Sequence, residues 1–164
     1  MGLARITCFS HTLAPLFEIL VSRLGRQVVS RGPAEFGINC EELEQESSAP
    51  TTRAYTDFLL RVATTGDFVE LVAALLPCMW CFSEIGQQLA TQPAPSEKRY
   101  ARWIAMYSSR EFAELAAWCR DLLDSLAAGL PERDLQKLEA AFFTSSRYEW
   151  QFSEMAWKME RWQV

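Results

Sequence analysis

A proline, Pro77, stands in the middle of Asp67–Leu89, a stretch that otherwise reads as one long apolar helix. Proline inside a helix removes a backbone donor and clashes with the carbonyl one turn back, at about 3 kcal/mol. The expected result is a kink, with the Ala73 carbonyl left unpaired beside Cys78, the residue that follows the proline in Leu75-Leu76-Pro77-Cys78-Met79-Trp80. A second segment, Thr144-Ser145-Ser146-Arg147-Tyr148-Glu149, sets a carboxylate on a helix rich in Phe, Trp and Met. A nucleophile at a kink and an acid on an apolar helix point to covalent chemistry on a small ligand.

The rest of the chain carries helical periodicity and no run of strand-like alternation, so the fold class is all-α. His11–Arg31 has an apolar stripe through Leu13, Leu16, Phe17, Leu20, Val21, Leu24 and Val28, broken by Gly32-Pro33. A short segment through Phe36 ends at Gly37, and Glu41–Ser48 is acidic and polar. Pro50 opens a helix through Tyr55, Phe58, Leu59 and Val62 that Gly66 ends, and Thr91–Pro95 is a loop after the long apolar helix. Ser108 and Glu111 read as a capping box for a helix to Ala128, which Gly129 stops. Pro131-Glu132 starts a last helix that runs to about Trp162.

At 164 residues the chain is one domain by length, and 49% hydrophobic residues suffice for a packed core. A net charge of −5 without a basic stripe argues against nucleic acid and anionic membranes as partners. The longest apolar run, Leu71–Phe82, contains Pro77 and is short for a membrane span, so it reads as a core helix. Five cysteines, an odd number, suit reduced thiols in the cytoplasm better than a disulfide framework. Arg5, Arg23, Arg26 and Arg31 make the start of the chain basic, but Glu18 interrupts its apolar patch, and no targeting segment is expected.

Spacing alone leaves each candidate with two readings. Cys78 is either an inert buried thiol or a nucleophile, and a nucleophile needs activation because an unperturbed thiol is only a few per cent ionised near neutrality. Cys81 completes a Cys-x-x-Cys with Cys78, but a zinc site lacks further ligands and a thioredoxin-like motif lacks its strand. Glu149 is either an exposed glutamate or a buried acid kept protonated by its apolar neighbours, as a general acid requires. Tyr55 and Tyr107 either pack ordinarily or line a pocket. His11, the single histidine, leaves haem binding as a remote reading.

Several segments together resemble the TenA/thiaminase II family. They are Pro50–Thr56, Leu76–Trp80 with Glu84-Ile85-Gly86, Tyr100–Ile104 with Tyr107-Ser108-Ser109, and Ser145 through Met155-Ala156-Trp157. The resemblance runs from about residue 34 to the C-terminus; residues 1–33 stand outside it. It implies a haem-oxygenase-like helical bundle, shortened at its N-terminus, that assembles as a homotetramer. It implies no metal and no organic cofactor. The implied activity is that of an aminopyrimidine aminohydrolase acting on thiamine or on the aminomethyl-pyrimidine left by its breakdown.

The resemblance also implies residue roles. Cys78 adds to an electrophilic ring carbon, with neighbouring hydroxyl and carboxyl groups activating it, so that it is expected to be the thiol most readily alkylated. Glu149 protonates a ring nitrogen, Tyr55 and Tyr107 line the pocket, and Phe82 stacks on the pyrimidine where the family more often has tyrosine. The family's earlier Tyr-x-x-Gln-Asp segment has no counterpart, because the first aspartate here is Asp57. The alternative is therefore an inactive or weakly pyrimidine-binding member that serves as an assembly subunit.

Overall fold

The structure is a computed structural model that describes residues 47–163. The expected helix His11–Arg31, the segment through Phe36, His11, Cys8 and Cys40 lie outside the described residues. All of the described residues but Ser47 belong to the compact unit Ser48–Val164. This unit contains five helices and, among the described residues, no strand: α1 (Pro50–Thr65), α2 (Phe68–Ala90), α3 (Lys98–Tyr107), α4 (Arg110–Ala127) and α5 (Glu132–Lys158).

Local chemistry places most of the helix ends. Pro50 occupies the first turn of α1, where its missing N–H costs nothing, and Gly66 closes the helix with its N–H on the Val62 carbonyl. Asp67 caps α2, its carboxylate accepting from the Glu70 N–H at 2.9 Å. The helix then runs unbroken through Pro77 to Ala90. By length and composition alone α2 also passes for a membrane span, yet it is the hub of this unit and the other four helices all pack against it.

Two expected boundaries differ. The cap of α4 is Ser109, whose Oγ accepts from the Phe112 N–H at 3.2 Å; Ser108 is instead the last-turn cap of α3. The Ser108/Glu111 pattern is one residue out of register because α3 uses Ser108 to finish its own turn. The last helix stops at Lys158, short of Trp162. There Met159 adopts the left-handed conformation (φ 49°) and turns the chain back toward the start of α1. Glu160 Oε2 accepts from the Thr51 N–H at 3.0 Å and Trp162 Nε1 donates to the Ser48 carbonyl at 2.9 Å. The tail thus supplies the cap that Ala49 cannot. Periodicity assigns no helix to the segment that forms α3, a short element capped by Glu97.

One part of the core is built from small side chains that let helices approach closely. Val62, Ala74 and Ala141 form one buried cluster from α1, α2 and α5, with Phe58, Leu59 and Leu71 packed around it. At the N-terminal end of α2, Lys137 of α5 bridges Glu70 Oε2 at 2.7 Å and Asp67 Oδ2 at 2.9 Å. The backbone N–H of Glu70, then Lys137, hold Asp67 below the usual carboxylate range. That contribution is therefore present above the ordinary aspartate value near about 4 and is lost as pH falls through the lower folded value. Asp67→Ala is expected to cost about 1 kcal/mol through the lost cap, and Asp67→Asn much less; urea melts at neutral pH compare them.

Candidate active site

Three helices meet around Cys78. α1 presents Tyr55, α2 presents Cys78 and Phe82, and α5 presents Ser145 and Glu149 one turn apart. Ser145 is fully buried and Glu149 is 9% exposed. The Tyr55 hydroxyl donates to Glu149 Oε1 at 2.6 Å and lies 2.9 Å from Ser145 Oγ. Its ring stacks on Tyr148, with centroids 5.3 Å apart and planes at 12°, so the phenol is held from both ends. Burial, then the bond to Glu149, pushes the phenol well above its ordinary value, and it stays a proton donor at any working pH.

Cys78, partly exposed, lies beside the Glu149 carboxyl, close enough to feel its charge. Burial first, and then the charge and hydrogen bond of Glu149, push the thiol up to about 12. The expected activation is thus reversed at rest. Burial disfavours the thiolate and the carboxylate beside it opposes a second negative charge, so the resting site favours Cys78 as S–H. Cys81 is also raised, by burial and then by Glu149 and Glu84. It shares the field of the site but takes no bond from it that parallels that of Cys78.

α3 and α4 close the other side. Tyr107 lies close enough to Cys78 and Glu149 that, after burial, their charges raise its phenol. Its ring meets Phe82 at 5.0 Å, Trp103 at 4.6 Å and, edge-on, Phe112 at 5.0 Å. Phe82 also meets Trp103 at 5.9 Å, so it belongs to an aromatic wall rather than standing alone. Gly86 brings this wall in. A Cβ there would stand 2.6 Å from the Tyr107 carbonyl carbon and 2.7 Å from its Cβ. Gly86→Ala is therefore expected to push the end of α3 away from α2. The clash, typically about 1–3 kcal/mol, exceeds the gain of about 1 kcal/mol in helix propensity. A lower melting temperature in Gly86→Ala checks this.

All five residues singled out in the sequence, Tyr55, Cys78, Phe82, Tyr107 and Glu149, belong to this one region. Ser145 and Trp103 were quoted in the matching segments without a role. The signal for Ser145 was a polar residue one turn before the acid on an apolar helix, which repays a partner across the interface. Among the described residues no group of three His, Cys, Asp or Glu side chains gathers to hold a metal.

The model of the TENA/THI-4/PQQC family matches residues 31–159. The chain belongs to this family. An aminopyrimidine aminohydrolase of Halalkalibacterium halodurans is 45% identical over 127 residues, covering 77% of this chain and 57% of the relative. One of Helicobacter pylori is 34% identical over 125 residues, covering 76% and 58%. A solved TenA homologue from P. horikoshii OT3 superposes with a TM-score of 0.66 at 31% identity, covering 76% of this chain and 57% of that one. The chain thus spans between half and three-fifths of the length of these relatives. The family match also begins near residue 34, where the resemblance in the sequence begins.

Proposed function

We propose that this TENA/THI-4/PQQC-family chain is an aminopyrimidine hydrolase of thiamine salvage, acting through a covalent adduct on Cys78. The observation that carries the reading is the meeting of the Cys78 thiol with Glu149, 71 residues later in the chain, inside a wall of Tyr55, Tyr107 and Phe82. In the resting site the sulfur keeps its proton. When an aminopyrimidine enters, that proton passes to the Glu149 carboxylate, and the sulfur lone pair forms a bond to an electrophilic ring carbon. The electrons of the ring C=N bond move to nitrogen, which takes the proton from Glu149. The nitrogen lone pair then expels the leaving group of the methylene arm, an ammonium departing as neutral ammonia or a thiazolium as neutral thiazole. Water adds to the methylene carbon and gives a proton to Glu149. The C–S bond breaks as the ring N–H proton is lost to water and the sulfur takes its proton back from Glu149. Glu149 acts first as base and then as acid, which suits a carboxyl shared between a thiol and a phenol.

The thiol held at about 12 favours a second reading, a site that binds the pyrimidine without turnover. Release of hydroxymethyl-pyrimidine from aminomethyl-pyrimidine or thiamine, followed by chromatography, separates the two. Product at a rate proportional to protein supports hydrolysis, and saturable binding without product supports the second reading. The proposal includes self-association in the cytoplasm. Phe143, Trp150 and Trp157 recur every seven residues along α5 and are 52%, 65% and 85% exposed, a ridge that monomers seldom leave bare. Light scattering that gives the monomer mass removes that part.

A further inference from the structure

The serines of α5 behave differently from one another. Ser146 Oγ donates to the Phe142 carbonyl at 2.9 Å and Ser153 Oγ to the Glu149 carbonyl at 3.2 Å, the usual bond back to the preceding turn. Ser145, fully buried, reaches across the interface to Tyr55 on α1. A phenol carries one hydrogen. With Glu149 ionised, that hydrogen is committed to Oε1 in the 2.6 Å bond, which is short as expected for O–H on a carboxylate. The Tyr55 oxygen must therefore accept, and Ser145 must donate. The bonds form one directed chain, Ser145 O–H to Tyr55 O–H to Glu149 Oε1, and each donor polarises the next.

We infer that Ser145 is a positioning residue that acts through Tyr55, fixing the orientation of the Glu149 carboxylate that receives the Cys78 proton. The inference rests on the proposed hydrolysis for its meaning, and on the geometry alone for its existence. Without Ser145 the Tyr55 hydroxyl loses the donor that α5 supplies to it, and its torsion is fixed by the carboxylate bond alone. The aromatic wall and the thiol are left in place. Substrate is then held as before, while the proton transfer that precedes addition becomes less well aligned.

Three variants test this: Ser145→Ala, Tyr55→Phe and the double variant. Ser145→Ala is expected to lower kcat by up to about tenfold, the worth of one hydrogen bond, with KM unchanged within about twofold. In the Tyr55→Phe background, Ser145→Ala is expected to cost nothing further, because its partner is gone. Independently of turnover, proton NMR of the whole chain should show a downfield, exchange-protected hydroxyl resonance that disappears in Tyr55→Phe and shifts in Ser145→Ala. An additive loss in the double variant overturns the inference, as does a resonance untouched by Ser145→Ala. If the unmutated protein turns over no aminopyrimidine, the proposed function fails, and the resonance still decides the hydrogen-bond chain.

Discussion

Cys78→Ala and Glu149→Gln are each expected to reduce hydrolysis of aminomethyl-pyrimidine by ~10³-fold or more. Addition to the ring needs a sulfur nucleophile and a proton on the ring nitrogen in the same step. The proposed mechanism makes one carboxylate responsible for both proton movements, since Glu149 is the charged group whose field acts on the Cys78 thiol. Removing either partner therefore stops the reaction rather than slowing one half of it, and the double variant should be no worse than the single ones. Steady-state rates on the purified variants measure this. Hydrolysis that survives Cys78→Ala would end the covalent mechanism, and hydrolysis that survives Glu149→Gln would move the proton donor elsewhere in the site.

The second large effect has the opposite sign for the two properties of one variant. In the resting protein Cys78 is expected to react sluggishly with iodoacetamide at pH 7–8, because its pKa stands about 12 against an ordinary 9.0. Burial persists in Glu149→Gln, but the negative charge and the carboxylate acceptor go. The thiol should then ionise more readily, with about a tenfold rise in alkylation rate for each unit its pKa falls. Glu149→Gln would thus have a more reactive cysteine and no turnover. Mass mapping of the alkylated cysteine over time settles it, and an unchanged or slower rate in Glu149→Gln would show that burial alone holds the proton. The same shift predicts alkaline sensitivity. A thiol whose folded pKa is raised stabilises the fold fully below 9.0, and the contribution is lost as pH rises toward about 12. The slope from this one thiol is about 1.4 kcal/mol per pH unit, which Cys78→Ala should remove in denaturant melts from pH 8 to 11, leaving the part owed to Cys81 and to Cys119, itself raised to about 11.

Much of the fold was legible because its signals are local. Pro50 and Gly66 bound α1, Asp67 caps α2, Gly129 ends the α4 turn with a positive φ of 78°, and the acids Glu132 and Asp134 sit at the positive end of α5. Each depends on a few neighbouring dihedrals and donors that a short stretch of sequence specifies by itself. Ser109 in place of Ser108, and the end of α5 at Lys158, were not legible for the converse reason. Two helices compete for one serine pair, and the tail is drawn away by α1, whose uncapped N–H groups lie 109 residues upstream.

The site divides along the same line. Cys78 and Glu149 stood out as candidates from their local context, and the family resemblance supplied the roles proposed for them. Only the tertiary structure brought the carboxylate of α5 onto the thiol of α2, and with it the direction of the Cys78 shift. Chemical type is a property of the residue, but pKa is a property of what surrounds it. Desolvation and a facing charge act over a few ångströms between residues that are 71 apart in sequence. For the same reason Ser145 reads as an ordinary helix serine until packing sets Tyr55 2.9 Å from its hydroxyl, and the close approach that Gly86 permits shows only once α3 lies against α2.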